Sequence, residues 1–276
     1  MYNSLLIKYE KSYQLRLYEF DINTSDDVIE NKKFISFDEV ENEIDNAFAK
    51  TDDKYHLDGH SAYVSVNRSK NKIFYYSRSN NWDNGYFCTL TINPDKYDSY
   101  DYKVVSDLIR KFTRSIREYD NKAYGLFVPE LHKSGRFHLH GLIGGIDLEK
   151  EGFIKYSGHN FNNQKIYNFV KAWKYGFSNV TKVQNSQAVE KYVTKYTTKE
   201  LLNNTLFQHR YFTFGLSESP IEKHNAKPDL FNDLMMYHPE LVQFCNTDGC
   251  YNRVTYLELK KCKLTDDFLK KYFYKD

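Results

Sequence analysis

The chain has 276 residues, enough for one catalytic domain with flanking additions. Hydrophobic residues at 41% and charged residues at 28% exclude a disordered chain and a membrane protein, and a formal net charge of +2 means that any nucleic-acid site must arise from local clustering. The 25 Tyr and 20 Phe supply rings for core packing and for stacking on unpaired bases.

In chain order, Leu5-Leu6-Ile7 is an apolar run too short for a secretion signal, and no later stretch approaches a membrane span. The four cysteines, Cys88, Cys245, Cys250 and Cys262, set no disulfide framework, so a reducing cytoplasm is expected. Cys245, Cys250, Cys262 and His238 match no common zinc-finger spacing and are read as buried or idle groups. Residues 22–58 are acidic and polar and read as surface or an accessory lobe. Gly85–Ile92 is rich in β-branched and aromatic residues and stops at Asn93-Pro94-Asp95, which predicts a strand and a turn. Over 103–118, Val105, Leu108, Ile109, Phe112 and Ile116 recur at helical spacing, with Lys103, Arg110, Arg114 and Arg117 gathered in an arc of roughly 60° on the other side. That basic stripe suits a solvated face, and it also suits a DNA backbone.

Ala123–Glu130 and Phe137–Gly144 then read as the two strands of a hairpin. Ile166–Trp173 is predicted helical, Phe177–Val183 a strand, and Ser186 the N-cap of a helix reaching about Leu202. The order β, α, β, β, α, β, α implies an α+β fold, an antiparallel sheet with helices on one face.

His138 and His140 are two apart on a strand, so their imidazoles share a face and can hold one cation. A three-residue loop of Ser134, Gly135 and Arg136, with glycine at the left-handed position, sets His132 opposite His138 and Glu130 opposite His140. A two-residue loop would turn Glu130 and His132 to the other face, so the odd loop is the expectation. Glu130, His138 and His140 then offer one carboxylate and two nitrogens with open positions, which suits Mg²⁺ or Mn²⁺, and zinc shares such ligands. His132 is the alternative third ligand.

Further on, Tyr192-Val-Thr-Lys195-Tyr196-Thr-Thr-Lys199 stacks two copies of Tyr-x-x-Lys on one helix flank. A phenol is protonated at neutral pH, so attack on phosphorus needs a nearby cation, and a lysine one turn away supplies it. Tyr192 and Tyr196 are equally qualified.

Phe-Cys-Thr-Leu-Thr-Ile (87–92), Gly-Arg-Phe-His-Leu-His-Gly-Leu-Ile (135–143) and the tyrosine string, in this order, resemble motifs one, two and three of HUH-superfamily rolling-circle replication initiators. The likeness is to those of single-stranded DNA phages and of plasmids of low-GC Gram-positive bacteria. Asn80-Asn-Trp82 and Trp173-Lys-Tyr-Gly-Phe177 belong to the same resemblance. It implies an RRM-like HUH palm over residues 65–215, with accessory segments 1–64 and 216–276.

The resemblance places the metal pair on His138 and His140, with Glu130 less directly matched, and the nucleophile on Tyr192 or Tyr196. It further implies an origin strand nicked through a 5′-phosphotyrosine link with a 3′-OH left as primer, in the cytoplasm of a bacterial host. No G-x-x-x-x-G-K-[ST] loop occurs in the sequence, so helicase and polymerase are expected from that host. Relaxases and HUH transposases share this chemistry. The rival without chemistry is a single-stranded DNA-binding module using sheet aromatics such as Phe87 and Phe137.

Overall fold

A computed structural model describes residues 1–22, 58–184, 210–248 and 253–274, without the side chains of 58–67. Tyr192, Lys195, Tyr196, Lys199 and the whole Ser186–Leu202 helix expectation lie outside the described residues, as does the acidic stretch from Asp26 to Asp45. The elements are β1 (Tyr2–Lys8), β2 (Ser12–Ile22), α1 (Asp58–Ser79), β3 (Tyr86–Thr91), α2 (Tyr102–Tyr119), β4 (Tyr124–Leu131), β5 (Phe137–Gly144), β6 (Ile154–Phe161), β7 (Gln164–Phe169), β8 (Ser178–Lys182), β9 (Phe212–Phe214), β10 (Ile221–His224), α3 (Leu230–Tyr237), β11 (Val242–Asp248), β12 (Val254–Lys260) and α4 (Lys263–Tyr272). The fold is α+β, with two antiparallel sheets.

The elements fall into two compact units, one drawn from Met1–Tyr55 and Glu218–Asp276, the other from His56–Ser217. In the first, β10-β1-β2-β12-β11 form one sheet, so the two ends of the chain share a single core. Leu15 pairs with Leu6 on one side and Leu257 on the other, and α3 and α4 close that face with Leu234, Phe268 and Leu269.

The second unit carries the order β6-β7-β8-β3-β5-β4-β9. Helix α2 starts where the Asp101 carboxylate accepts from the Lys103 amide at 2.8 Å, and it buries Val105, Leu108, Ile109, Phe112 and Ile116. These meet Cys88, Leu90, Phe127, Leu139 and Ile143 from alternate positions of β3, β4 and β5.

Three expectations are corrected. Ile166–Trp173 is not a helix: β6 and β7 form a hairpin through Asn162 and Asn163, both at positive φ, which asparagine tolerates in tight hairpin turns. Ile166, Phe169, Val170 and Trp173 do recur at helical spacing, yet Tyr167 and Phe169 are the buried pair, at strand spacing. Helices also do not keep to one face, because α1 lies against the face opposite α2, with Ile73 and Tyr76 in a cluster with Leu126, Val128 and Leu142. Finally, Phe137 is not a sheet aromatic open to bases. It is buried on the α2 face, edge-on to Tyr102, as alternation with the adjacent His138 requires.

Candidate metal and DNA site

The hairpin β4–β5 turns through Lys133, Ser134 and Gly135: the His132 amide donates to the Arg136 carbonyl at 2.8 Å, and Gly135 sits at φ +81°. The loop therefore has three residues and a left-handed glycine, but it lies one residue earlier than expected. Glu130 is consequently opposite His138, and Val128 opposite His140. Parity is unchanged by a shift of two in the pairing sum, so Glu130, His132, His138 and His140 share one face. The contacts run along diagonals instead: His140 Nε2 lies 2.8 Å from Glu130 Oε2, and the His132 and His138 rings stack with centroids 5.0 Å apart. The tip is braced from outside the hairpin, where the Phe137 amide donates to the Ser99 carbonyl at 2.9 Å and Arg136 Nε to Tyr100 Oη at 3.1 Å.

Behind the pair, Thr89 of β3 lies opposite His140, with Oγ1 3.2 Å from Nδ1. With both ring nitrogens so placed, the imidazole orientation is fixed. The three motif strings do not single out Thr89, although it stands in the first of them. Its signal is the constant-sum pairing of β3 with β5, once those strands are known to be neighbours. Phe87 lies parallel to His140 with centroids 6.2 Å apart and closes the apolar side.

Burial pushes the His140 pKa down to about 4, and burial with the neighbouring His132 and His140 lowers that of His138. Both rings are neutral at neutral pH, the state in which imidazole nitrogen binds a metal. Metal–ligand bonds of about 2.1 Å at right angles set neighbouring donor atoms about 3 Å apart. The 2.8 Å between His140 Nε2 and Glu130 Oε2 is of that size, and imidazole with carboxylate suits Mg²⁺, Mn²⁺ or Zn²⁺ alike. Among the described residues, no group of three His, Cys, Asp or Glu is drawn together closely enough to hold an ion. The formed part of the donor set is thus His140 with Glu130, while His138 rests on His132.

The remaining motif residues serve the scaffold around this face. Asn80 donates to the Tyr76 and Ser217 carbonyls and accepts from the Ser217 amide, tying β9's exit to the end of α1. Trp82 is fully buried beside Tyr124 and donates to the Ser77 carbonyl at 2.6 Å. Trp173 donates to the Thr91 carbonyl at 3.2 Å. Gly141 leaves room for Phe127, whose ring a Cβ would strike. The basic stripe stands elsewhere: Arg110, Arg114 and Arg117 line a shallow surface with Thr113 and Phe214 on α2, the helix across the sheet from His138 and His140.

With this geometry in place, the comparison with known families decides the relation. Residues 85–201 match the family of replication-associated protein ORF2. The match starts at the motif-one strand, takes in the His-Leu-His hairpin and ends in the tyrosine string, and it agrees with the resemblance to rolling-circle replication initiators. For this ORF2-like chain it suggests a replication-initiator role with DNA as the partner. No curated protein and no solved structure matches the chain. Among the described residues, no helix is long and apolar enough to cross a membrane.

Proposed function

We propose that this protein starts rolling-circle replication by metal-dependent, site-specific nicking and joining of single-stranded DNA at an origin. The observation that carries the proposal is the pair His140–Glu130 at 2.8 Å on a face that also holds His132 and His138. In this account His138, His140 and Glu130 hold Mg²⁺ or Mn²⁺, with His132 the alternative third ligand. Once bound, the ion polarises the scissile phosphate. Thr89 keeps the His140 ring in position through Nδ1, and Phe87 keeps water from its flank.

Tyr192 or Tyr196 supplies the attacking phenol oxygen. A new oxygen–phosphorus bond forms, the bond from phosphorus to the 3′ oxygen breaks, and that oxygen takes a proton to become a 3′-OH. Lys195 and Lys199, each three residues after a tyrosine, favour the phenolate. The phosphodiester energy is kept in the phosphotyrosine, so a second strand end can be joined without ATP. Host polymerase extends the 3′-OH and a host helicase opens the duplex, with the work done in the bacterial cytoplasm.

The test is a labelled origin strand incubated with the full chain and Mn²⁺. A covalent adduct is expected with Mn²⁺ and none with EDTA, and Tyr192→Phe/Tyr196→Phe should form none. An adduct in that double variant refutes the tyrosine assignment. Binding without any adduct in the parent refutes the enzyme and leaves a single-stranded DNA-binding module.

A further inference from the structure

Strand β8 has a paired residue before its start. The Phe177 carbonyl accepts from the Thr91 amide at 2.9 Å and from Thr91 Oγ1 at 3.2 Å, which continues the Leu90–Ser178 register by one place. Side chains alternate along a strand. Ser178 is buried, with Oγ accepting from the Phe169 amide at 2.8 Å, so Phe177 falls on the opposite face, that of Thr91 and His138. Phe177, Thr91, His138 and Glu130 thus form one row across four strands.

Phe177 is nevertheless 85% exposed. Its backbone is held firmly: the Asn93 amide donates to the Tyr175 carbonyl at 2.7 Å, and Gly176 lies so close to the Thr91 carbonyl that a Cβ would collide with it. An apolar ring is therefore offered to solvent from a fixed position, two strand spacings or about 10 Å from β5. Its row-mates are a hydroxyl, an imidazole and a carboxylate, with exposed Asn179 following it on β8, whereas the centre of a protein interface is apolar throughout. An isolated ring beside polar groups is what a single strand uses, because every base has a face that stacks.

We propose that Phe177 is the stacking platform for a base of the single strand whose phosphate lies at His138, His140 and Glu130. This rests on the nicking-site proposal above, and it adds a positioning residue that holds the strand beside the metal pair. The test uses the full chain with a fluorescein-labelled 20-nucleotide oligo(dT) in EDTA, where no chemistry occurs. Phe177→Ala should weaken binding about ten-fold, Phe177→Trp should restore it, and 5-iododeoxyuridine in the strand should cross-link to Phe177. Truncating so exposed a ring should leave the melting temperature unchanged. Equal affinity of Phe177→Ala and the parent, or no binding by the parent, overturns the platform. The two proposals fail separately: loss of binding in Phe177→Ala without any Mn²⁺-dependent adduct in the parent sinks the nicking site alone, and an adduct with unchanged binding sinks the platform alone.

Discussion

The two faces of the seven-stranded sheet are made by alternate residues of the same strands, yet they are finished differently. On the α2 face, Phe112, Phe127, Leu139 and Ile143 join one continuous apolar cluster. On the other, Trp82, Leu126 and Leu142 pack with Ile73 of α1, and the next rows across the sheet change to Thr89 with His140 and Thr91 with His138. Within β5 the string Phe137-His-Leu-His140 sends two apolar side chains to the first face and two imidazoles to the second. Burial free energy is thus concentrated on one side, and the other can commit its polar groups to ligands at small cost to the fold.

The sharpest way to break this division is to truncate each face in turn. Phe127→Ala, on the closed face, should cost about 3–5 kcal/mol in urea unfolding, since the ring packs edge-on to Phe112 and over Gly141. A smaller effect of a different kind is expected on the open face. Thr89→Val removes the oxygen 3.2 Å from His140 Nδ1 and should lower Mn²⁺ affinity roughly 10- to 100-fold while shifting stability by less than about 1 kcal/mol. If Thr89→Val unfolds the protein as Phe127→Ala does, the faces are not divided in this way.

The smallest expected effect is on pH. Because burial lowers the His140 pKa from the ordinary 6.5 to about 4, the unfolded chain takes up a proton in that window which the folded chain refuses. Stability from the neutral ring is present above pH 6.5 and is lost as pH falls toward 4. In EDTA the melting temperature should drop between pH 7 and pH 5, and His140→Gln should reduce that drop by roughly 5 °C. An identical drop in both proteins contradicts the assignment of His140 as a buried neutral ring.

How far the sequence carries can be seen residue by residue. Alternation in β5 and the left-handed Gly135 are local properties, and they are enough to bring Glu130, His132, His138 and His140 to one face. Which of them touch depends on where in Lys133–Arg136 the chain turns, and a one-residue displacement of the loop replaces direct opposition by diagonal contacts. Ile166–Trp173 carries both a helical and a strand pattern, and long-range pairing of Tyr167 with Val180 decides between them. Thr89 and Phe177 gain meaning only from neighbours of β3 that are distant in the chain, His140 and Thr91 in turn. The cover that α1 provides is hard to read from its pattern because its apolar contacts with the sheet, Ile73 and Tyr76, sit near its end.

The central claim is that the open face holds a divalent ion through imidazole nitrogen. Electron spin-echo spectroscopy of the full chain with one equivalent of Mn²⁺ tests it without reference to activity. Nitrogen-14 modulation from directly bound imidazole is expected in the parent and should be abolished in His138→Ala/His140→Ala, with the chain still folded. Mn²⁺ bound with no nitrogen modulation, or the same modulation in the double variant, would contradict it.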